Sequence, residues 1–443
     1  MKIRTNIIIL ILFGACSVAL SDICNIESHA TNGQIAPSTN GGTFNLLASL
    51  NPTAVNSSGW IAFNSPVDGS DRNQGVFVAD ENGTISAIAI GCGGSGGGGD
   101  TTSSCGDVSP IGGHFGGFFS NNADLAPDMN DSGDVLFMCD VNGGSALRAL
   151  FLYRAISGQI IKIAAIGDPS PIGGTFGAVG PGTLNNSGGV VFLASAVGTT
   201  TSDIFTWRNG VITKVDAVGD PSPGGGTYTS LGTGGLTFID GTTIPVSPLP
   251  DINDVNQIAF VAGATNKSGI ILRTGTTDHW DIRVGDLTPV GGRFTAMQSP
   301  SLNNVGQIAF SADYQLGPHM SNSGIFAGAT GNWRKVIAFL DPIDGGQCLG
   351  LAFSSTPMQS IDNSGNVVFW TDLSGNETQD RIVLGLTTGE FLIVARLGDP
   401  TPLGGTYGLM NAHPSIDGTT GTLNVAIDGG PTSFAQMVFS NCP

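Results

Sequence analysis

One phrase recurs seven times along the chain: a Gly-Asp-Pro/Gly-Gly-Thr-Phe turn, followed by Asn-x-x-Gly-x-x-(Ala/Val)-Phe. Its fullest copy runs from Gly167, Asp168 and Pro169 through Gly173, Gly174, Thr175 and Phe176, then Asn185, Gly188, Val191 and Phe192. A period of about 50–70 residues built from short apolar runs and Gly/Pro turns makes blades or coils, not one large globule.

The aromatic ending the first half is Phe44, Phe115, Phe176, Tyr228, Phe294 and Tyr407, with a weaker copy at Gly345, Gly346, Gln347 and Cys348. The second half recurs at Asn56/Gly59/Phe63, Asn130/Gly133/Phe137, Asn185/Gly188/Phe192 and Asn303/Gly306/Phe310. Asn256 replaces the glycine in one copy and Asp362 replaces the leading Asn in another. Asn is the other residue that tolerates a left-handed backbone. The seventh copy, around Asp417 and Gly418, is degenerate.

Each unit reads as four strands. In the third they are Phe176 to Leu184, Val190 to Ala194, Asp203 to Trp207 and Val211 to Val218. Glycine (68 residues) and a 40% apolar content with only 11% charged residues fit strands joined by turns. A disordered chain would be charge-rich and apolar-poor. Four-stranded sheets repeated radially are a β-propeller, whereas an open solenoid of this length needs capping units.

The last unit supplies three strands, and the segment from Ile23 to Ile35 offers one more. The predicted fold is therefore all-β: a seven-bladed β-propeller of four-stranded antiparallel blades, closed by an N-terminal strand joining the last blade. A Cys24–Cys442 disulfide would lock that ring, stabilising it by several kcal/mol, on the order of 4–5 in the chain-entropy account. A second disulfide, Cys92–Cys105, is expected to pinch an inserted Gly-rich loop, 92–105, at its base. Cys139 and Cys348 are expected unpaired.

The N-terminus reads as an export signal: Lys2 and Arg4, an apolar stretch from Ile7 to Phe13, and a small-residue site at Ala19, Leu20 and Ser21. The rival reading is a lipoprotein signal with Cys16 lipidated after Phe13, Gly14 and Ala15. The domain expectation is a signal peptide over 1–21 and one propeller over 22–443. No later segment is apolar for long enough to span a bilayer as a helix. The expected location is secreted, periplasmic or cell-surface.

The net charge is −18, from 16 Lys and Arg against 34 Asp and Glu. Phosphate backbones are met by basic stripes, so nucleic acid is not an expected partner. Nor is an anionic membrane surface.

The chain resembles the bacterial exported proteins with tandem NxxGxxAF repeats, described as choice-of-anchor proteins. The residues that carry the likeness are Asn56 to Phe63 and Asn303 to Phe310, with looser copies over nearly the whole mature chain. The resemblance implies a repeat architecture and carries no activity. The anchor segment that names many members is not expected here.

Candidate chemistry is sparse. The repeated Asp107, Asp168, Asp220, Asp286, Asp341 and Asp399 are read as turn formers, because a residue present in every blade serves the blade. Asp128, Asn130, Ser132 and Asp134 place oxygens on alternate residues, as in a Ca2+ loop. They coincide with an Asn-x-x-Gly turn, and the plain turn is the favoured reading; no other cofactor is implied. Trp280 and Trp333 are candidates for sugar stacking, against packing at a blade edge.

The leading function is an exported, non-enzymatic binding or scaffold module for a protein or glycan, acting as a monomer. The alternative is a hydrolase or lyase acting on extracellular glycan at the channel mouth. It would use His114, which replaces the Thr of Gly-Gly-Thr-Phe, and Arg293 at the same register. A structural envelope component is the third reading, tied to lipidation of Cys16.

Overall fold

The computed structural model describes residues 24–46, 53–93, 104–118, 125–199, 201–232, 234–237, 243–317, 320–351, 359–374 and 379–442. The signal segment 1–21, Cys16 and residues 94–103 of the Gly-rich loop lie outside the described residues.

Seven antiparallel sheets follow one another as the blades of a propeller. Blade three shows the plan without interruption: Phe176–Leu184 innermost, then Val190–Ala196, Asp203–Arg208 and Val211–Asp216 outermost. In the other six blades the inner strand is broken in two, as in His114–Phe115 and Asp128–Met129 of blade two. All inner strands start on the face that carries the Gly-Asp turns and end on the face that carries the Asn turns.

Blade seven is completed from the other end of the chain. Its sheet runs from Thr406–Met410 and Ile416–Asp417 through Thr420–Asp428 and Phe434–Ser440 to Asn25–Thr31. Asn25 faces Ser440 and Thr31 faces Ala435 in antiparallel register. Cys24 and Cys442 are joined beside this pairing, so the ring is closed by hydrogen bonds and by a covalent bond.

The repeated aromatics explain how each blade packs. Phe176 stands edge-on to Phe205 with centroids 5.1 Å apart, and Phe205 stacks on Phe192 at 5.8 Å. Phe115, Phe137 and Phe151 repeat the trio in blade two, and Phe294, Phe310 and Phe326 in blade five. The apolar core is accordingly seven wedges, one per seam. One unites Leu136 and Leu150 of blade two with Phe176 and Phe192 of blade three. Another unites Val55 and Phe63 of blade one with Phe434 and Val438 of blade seven.

The Asn-x-x-Gly segment is a turn with two roles. Asn185 Oδ1 accepts the backbone N–H of Gly189 at 2.8 Å, which holds the turn. Its amide donates across the seam to the carbonyl of Asn253, at 2.9 Å. Asn256, standing where the other copies have glycine, keeps the left-handed backbone with φ 60°.

The Gly-Asp turn is also structural, although not as a forward Asx turn. Asp168 reaches back, accepting the N–H of Ala165 at 2.8 Å and pairing with Lys162 at 2.7 Å. Asp220 with Ala217 and Lys214, and Asp341 with Ala338 and Lys335, repeat the arrangement.

Cys92 and Cys105 are bonded, while Cys139 and Cys348 are free and buried. The two disulfides point to an oxidising, extracellular or periplasmic environment. No helix among the described residues is long and apolar enough to cross a membrane.

Candidate functional site: the central channel

The second halves of the inner strands surround one axis, each blade contributing the residues just before its Asn turn. The wall includes Thr53 and Ala54, Pro127 and Asp128, Gly182 and Thr183, Pro250 and Asp251, Pro300 and Ser301, Gln359 and Ser360, and Pro414 and Ser415. They enclose about 200 Å³. Toward the Asn face lies a more polar space of about 170 Å³, bordered by Asp251, Asp254, Asn304, Asn363 and Asp417.

The wall is held by hydrogen bonds that run from blade to blade. Asp128 Oδ2 accepts the N–H of Leu184 in the next blade at 2.6 Å, and its Oδ1 accepts the N–H of Met129 at 2.9 Å. Asp251 repeats this with Leu302 at 2.7 Å and Ile252 at 2.8 Å. Where serine stands instead, Ser301 Oγ accepts the N–H of Ile361 at 3.3 Å, and Ser360 Oγ that of Ile416 at 3.3 Å.

A second ring lies one residue after the Asn positions. Asp131 Oδ1 accepts the N–H of Ser57 at 2.9 Å, Asn186 that of Asp131 at 2.7 Å, Asp254 that of Asn186 at 2.7 Å, and Asn304 that of Asp254 at 2.8 Å.

Burial decides the acidity of this wall. It pushes Asp128 up to about 7 against the pull of the Leu184 and Met129 N–H groups. Asp251 is pushed up to about 6 by the same cause, opposed by the N–H groups of Leu302 and Ile252. Asp417 rises to about 7, through burial first and the neighbouring Asp131 charge second. The channel thus presents carboxyls that take up protons near neutrality, hydroxyls, and the rings of several prolines.

The residues singled out from the sequence are distributed differently. Asp128 is in the wall, but its three companions turn away from it. Asn130 Oδ1 holds the N–H groups of Ser132 and Asp134 at 3.1 and 3.0 Å, while its amide donates to Asn185. Asp134 accepts the N–H of Ala155 at 2.8 Å and pairs with Arg154 at 3.3 Å. The side-chain oxygens of Asp128, Asn130 and Asp134 are engaged as turn and seam groups. Among the described residues no group of three or more His, Cys, Asp or Glu could hold a metal.

His114 and Arg293 both stand where the first half of an inner strand begins, away from the channel residues. Each meets a backbone carbonyl of its own Gly-Asp turn: His114 Nδ1 lies 2.7 Å from Gly106 O, and Arg293 Nη1 donates to Gly285 O at 2.6 Å. Trp280 and Trp333 lie half-buried on the outer strands Thr277–Arg283 and Asn332–Ala338. Trp280 Nε1 donates to Pro223 O at 3.0 Å, and Trp333 packs edge-on to Phe310 with centroids 5.3 Å apart.

Asp251, Ser301, Ser360 and Asp417 were not singled out from the sequence. A signal for three of these wall positions was present in the spacing of Pro-x-(Met/Ile/Leu)-Asn/Asp, at Pro127, Pro250, Pro300 and Pro414.

A family model described as a family of unknown function (DUF7453) matches residues 94–267 and 204–414. No curated protein matches the chain. Among solved structures, a puromycin-hydrolyzing peptidase of Mycobacterium tuberculosis is similar at 10% identity and a TM-score of 0.45, over 93% of this chain and 53% of that one. The chain therefore spans about half the length of that peptidase. The polysaccharide lyase Uly1 is similar at 9% identity and a TM-score of 0.45, over 92% of this chain and 91% of that one. A GH74 xyloglucanase from Xanthomonas campestris is similar at 10% identity and a TM-score of 0.43, over 93% of this chain and 55% of that one. Likeness at this level carries no activity to this chain.

Proposed function

The chain belongs to the DUF7453 family, whose function is unknown, and from its channel we propose an exported, non-enzymatic binding module. In this reading the ligand is a glycan end or a hydroxyl-bearing protein segment, received at the channel. The observation that carries it is the engagement of Asp128 and Asp251: each is held by backbone N–H groups of two blades, not aimed jointly at one reacting atom. A catalytic constellation needs a nucleophile or base poised against a partner; a binding wall needs shape, apolar surface and a few fixed polar groups.

Pro127, Pro250, Pro300 and Pro414 supply the apolar surface, and Ser301, Ser360 and Ser415 the hydroxyls. Export is supported by the Lys2-to-Ser21 segment and by the two disulfides. Within this reading the repeat is of the NxxGxxAF kind, on Asn56 to Phe63 and Asn303 to Phe310.

The test is calorimetric titration of the purified chain with a panel of oligosaccharides and extracellular proteins, with the same mixtures analysed for products. Saturable binding that weakens in Ser301→Tyr, with no product formed, is the expected result. Turnover of a glycan, ester or peptide would replace this reading with the hydrolase or lyase alternative.

A further inference from the structure

A separate cavity of about 230 Å³ lies at the seam of blades five and six, near the Asn face. Gln307, Asn332, Arg334 and Thr387 border it, with Gly328 and Gly365. Neither glycine leaves room for a side chain: a Cβ on Gly328 would stand 2.3 Å from Asn332 O, and one on Gly365 would stand 2.8 Å from Gln307 Oε1.

Arg334 comes from the outer strand of blade five, and its Nη2 donates to the carbonyl of Gly365 in blade six at 2.6 Å. It forms no ion pair with any described carboxylate. Two other arginines beside Asn turns find oxygens on side chains. Arg154 meets Asp134 of its own blade at 3.3 Å; Arg208 meets Ser187 Oγ of its own blade at 3.1 Å and Asn256 Oδ1 of the next blade at 3.2 Å.

A half-buried guanidinium without a direct ion-pair partner is disfavoured, and burial pulls the Arg334 pKa down. Asp362 opposes that pull through its charge. Its oxygens, however, already accept the N–H groups of Ser364 and Asn366 and the Asn366 amide.

Two more donors border the same space. Gln307 Oε1 is taken by the Asn303 amide at 2.9 Å, which leaves the Gln307 amide nitrogen without a described partner. The Thr387 hydroxyl has no described partner either. Guanidinium, amide and hydroxyl are the donor set that a planar carboxylate accepts, with the guanidinium fork giving two parallel bonds.

We propose that this cavity is a binding site for a small carboxylate anion, with Arg334 as its cationic anchor and Gln307 and Thr387 as flanking donors. The site is independent of the channel and of the binding function assigned to it. The carboxylate comes either free in solution or on a uronate of a glycan; both present the same two oxygens.

The test follows the arginine Nε–H resonances of the full exported chain during titration with sodium acetate, against sodium chloride at equal ionic strength. Sodium glucuronate in a parallel titration distinguishes a sugar-borne carboxylate from a free one. Acetate is expected to shift the Arg334 signal saturably, and Arg334→Gln is expected to weaken binding by roughly tenfold or more. Thr387→Trp fills the mouth from an exposed position while leaving the guanidinium in place, and should weaken binding likewise. An Arg334 signal that responds equally to acetate and chloride overturns the proposal. So does undiminished binding in folded Arg334→Gln or, should that variant not fold, in Thr387→Trp.

Discussion

The side-chain amide of Asn303 donates to the backbone carbonyl of Asp362 in the next blade at 2.9 Å, while its Oδ1 accepts the N–H of Gln307 at 2.8 Å. One residue thus shapes a turn and closes a seam. Asn56, Asn130, Asn185 and Asn253 donate in the same way to the blade that follows each. The repeat motif is therefore a fastening between blades as much as a turn within one.

Asn303→Ala should cost about 1–3 kcal/mol, because a buried carbonyl in blade six and a turn N–H in blade five both lose their partner. Asn303→Asp should restore the turn but not the seam, and should fall between the two. Urea unfolding midpoints of the three proteins check the order. An Asn303→Asp protein as unstable as Asn303→Ala would mean that the seam bond is the only one that matters.

The channel acids give the protein a stability that declines toward neutral pH. Asp128, Asp251 and Asp417 have folded pKa values of about 7, 6 and 7, above the ordinary carboxylate value, so the folded state holds their protons more tightly. Their contribution is full below the unfolded pKa near 4 and is lost as pH rises through 6 to 7. Asp344, lowered by Arg396 and Arg381, has the opposite sign and loses its contribution as pH falls below 4. Melting temperature should therefore be higher at pH 5 than at pH 7.5. Asp417→Asn should narrow that gap by removing on the order of 1–2 kcal/mol of the difference. An unchanged gap would show that Asp417 titrates normally.

The propeller, its closure and its disulfides were legible because they depend on signals that stand out along the chain: turn residues between short apolar runs, a strand missing from the last unit and offered by the first, and cysteines placed at the extremities. What the sequence concealed lies across the seams. Asp168 looks like a forward turn former, yet it binds Ala165 and Lys162 behind it. Asp128 looks like a member of a local oxygen cluster, yet its strongest partner is Leu184, 56 residues on. His114 and Arg293 attracted attention as departures from the repeat. The channel wall is built instead from Pro-x-apolar-Asn positions, whose side chains differ from blade to blade. Arg334 and Thr387 share no motif at all, since blade packing alone brings them to one cavity.

Phe205 lies at the centre of its trio, between Phe176 and Phe192, and is fully buried. Phe205→Ala should cost about 3–5 kcal/mol, through lost burial and a cavity that the rigid sheets cannot close. Phe205→Leu should cost roughly half as much. Thermal unfolding of both variants checks this, and equal losses would mean that ring geometry outweighs volume.

The two disulfides should contribute unequally. Cys24–Cys442 closes a loop with a sequence separation of 418, whereas Cys92–Cys105 has a separation of 13. In the chain-entropy account the long closure is worth on the order of 5 kcal/mol and the short one about 3. The long one also holds Asn25–Thr31 against Phe434–Ser440, the strands where the ring is completed. A Cys24→Ser, Cys442→Ser double variant should therefore lose more stability than Cys92→Ser, Cys105→Ser. Amide exchange should accelerate first in those two strands, because opening there exposes one seam without unfolding a blade. If exchange rose uniformly through all seven blades instead, the closing strand would not be a separate opening unit, and the ring would have to be treated as one cooperative body.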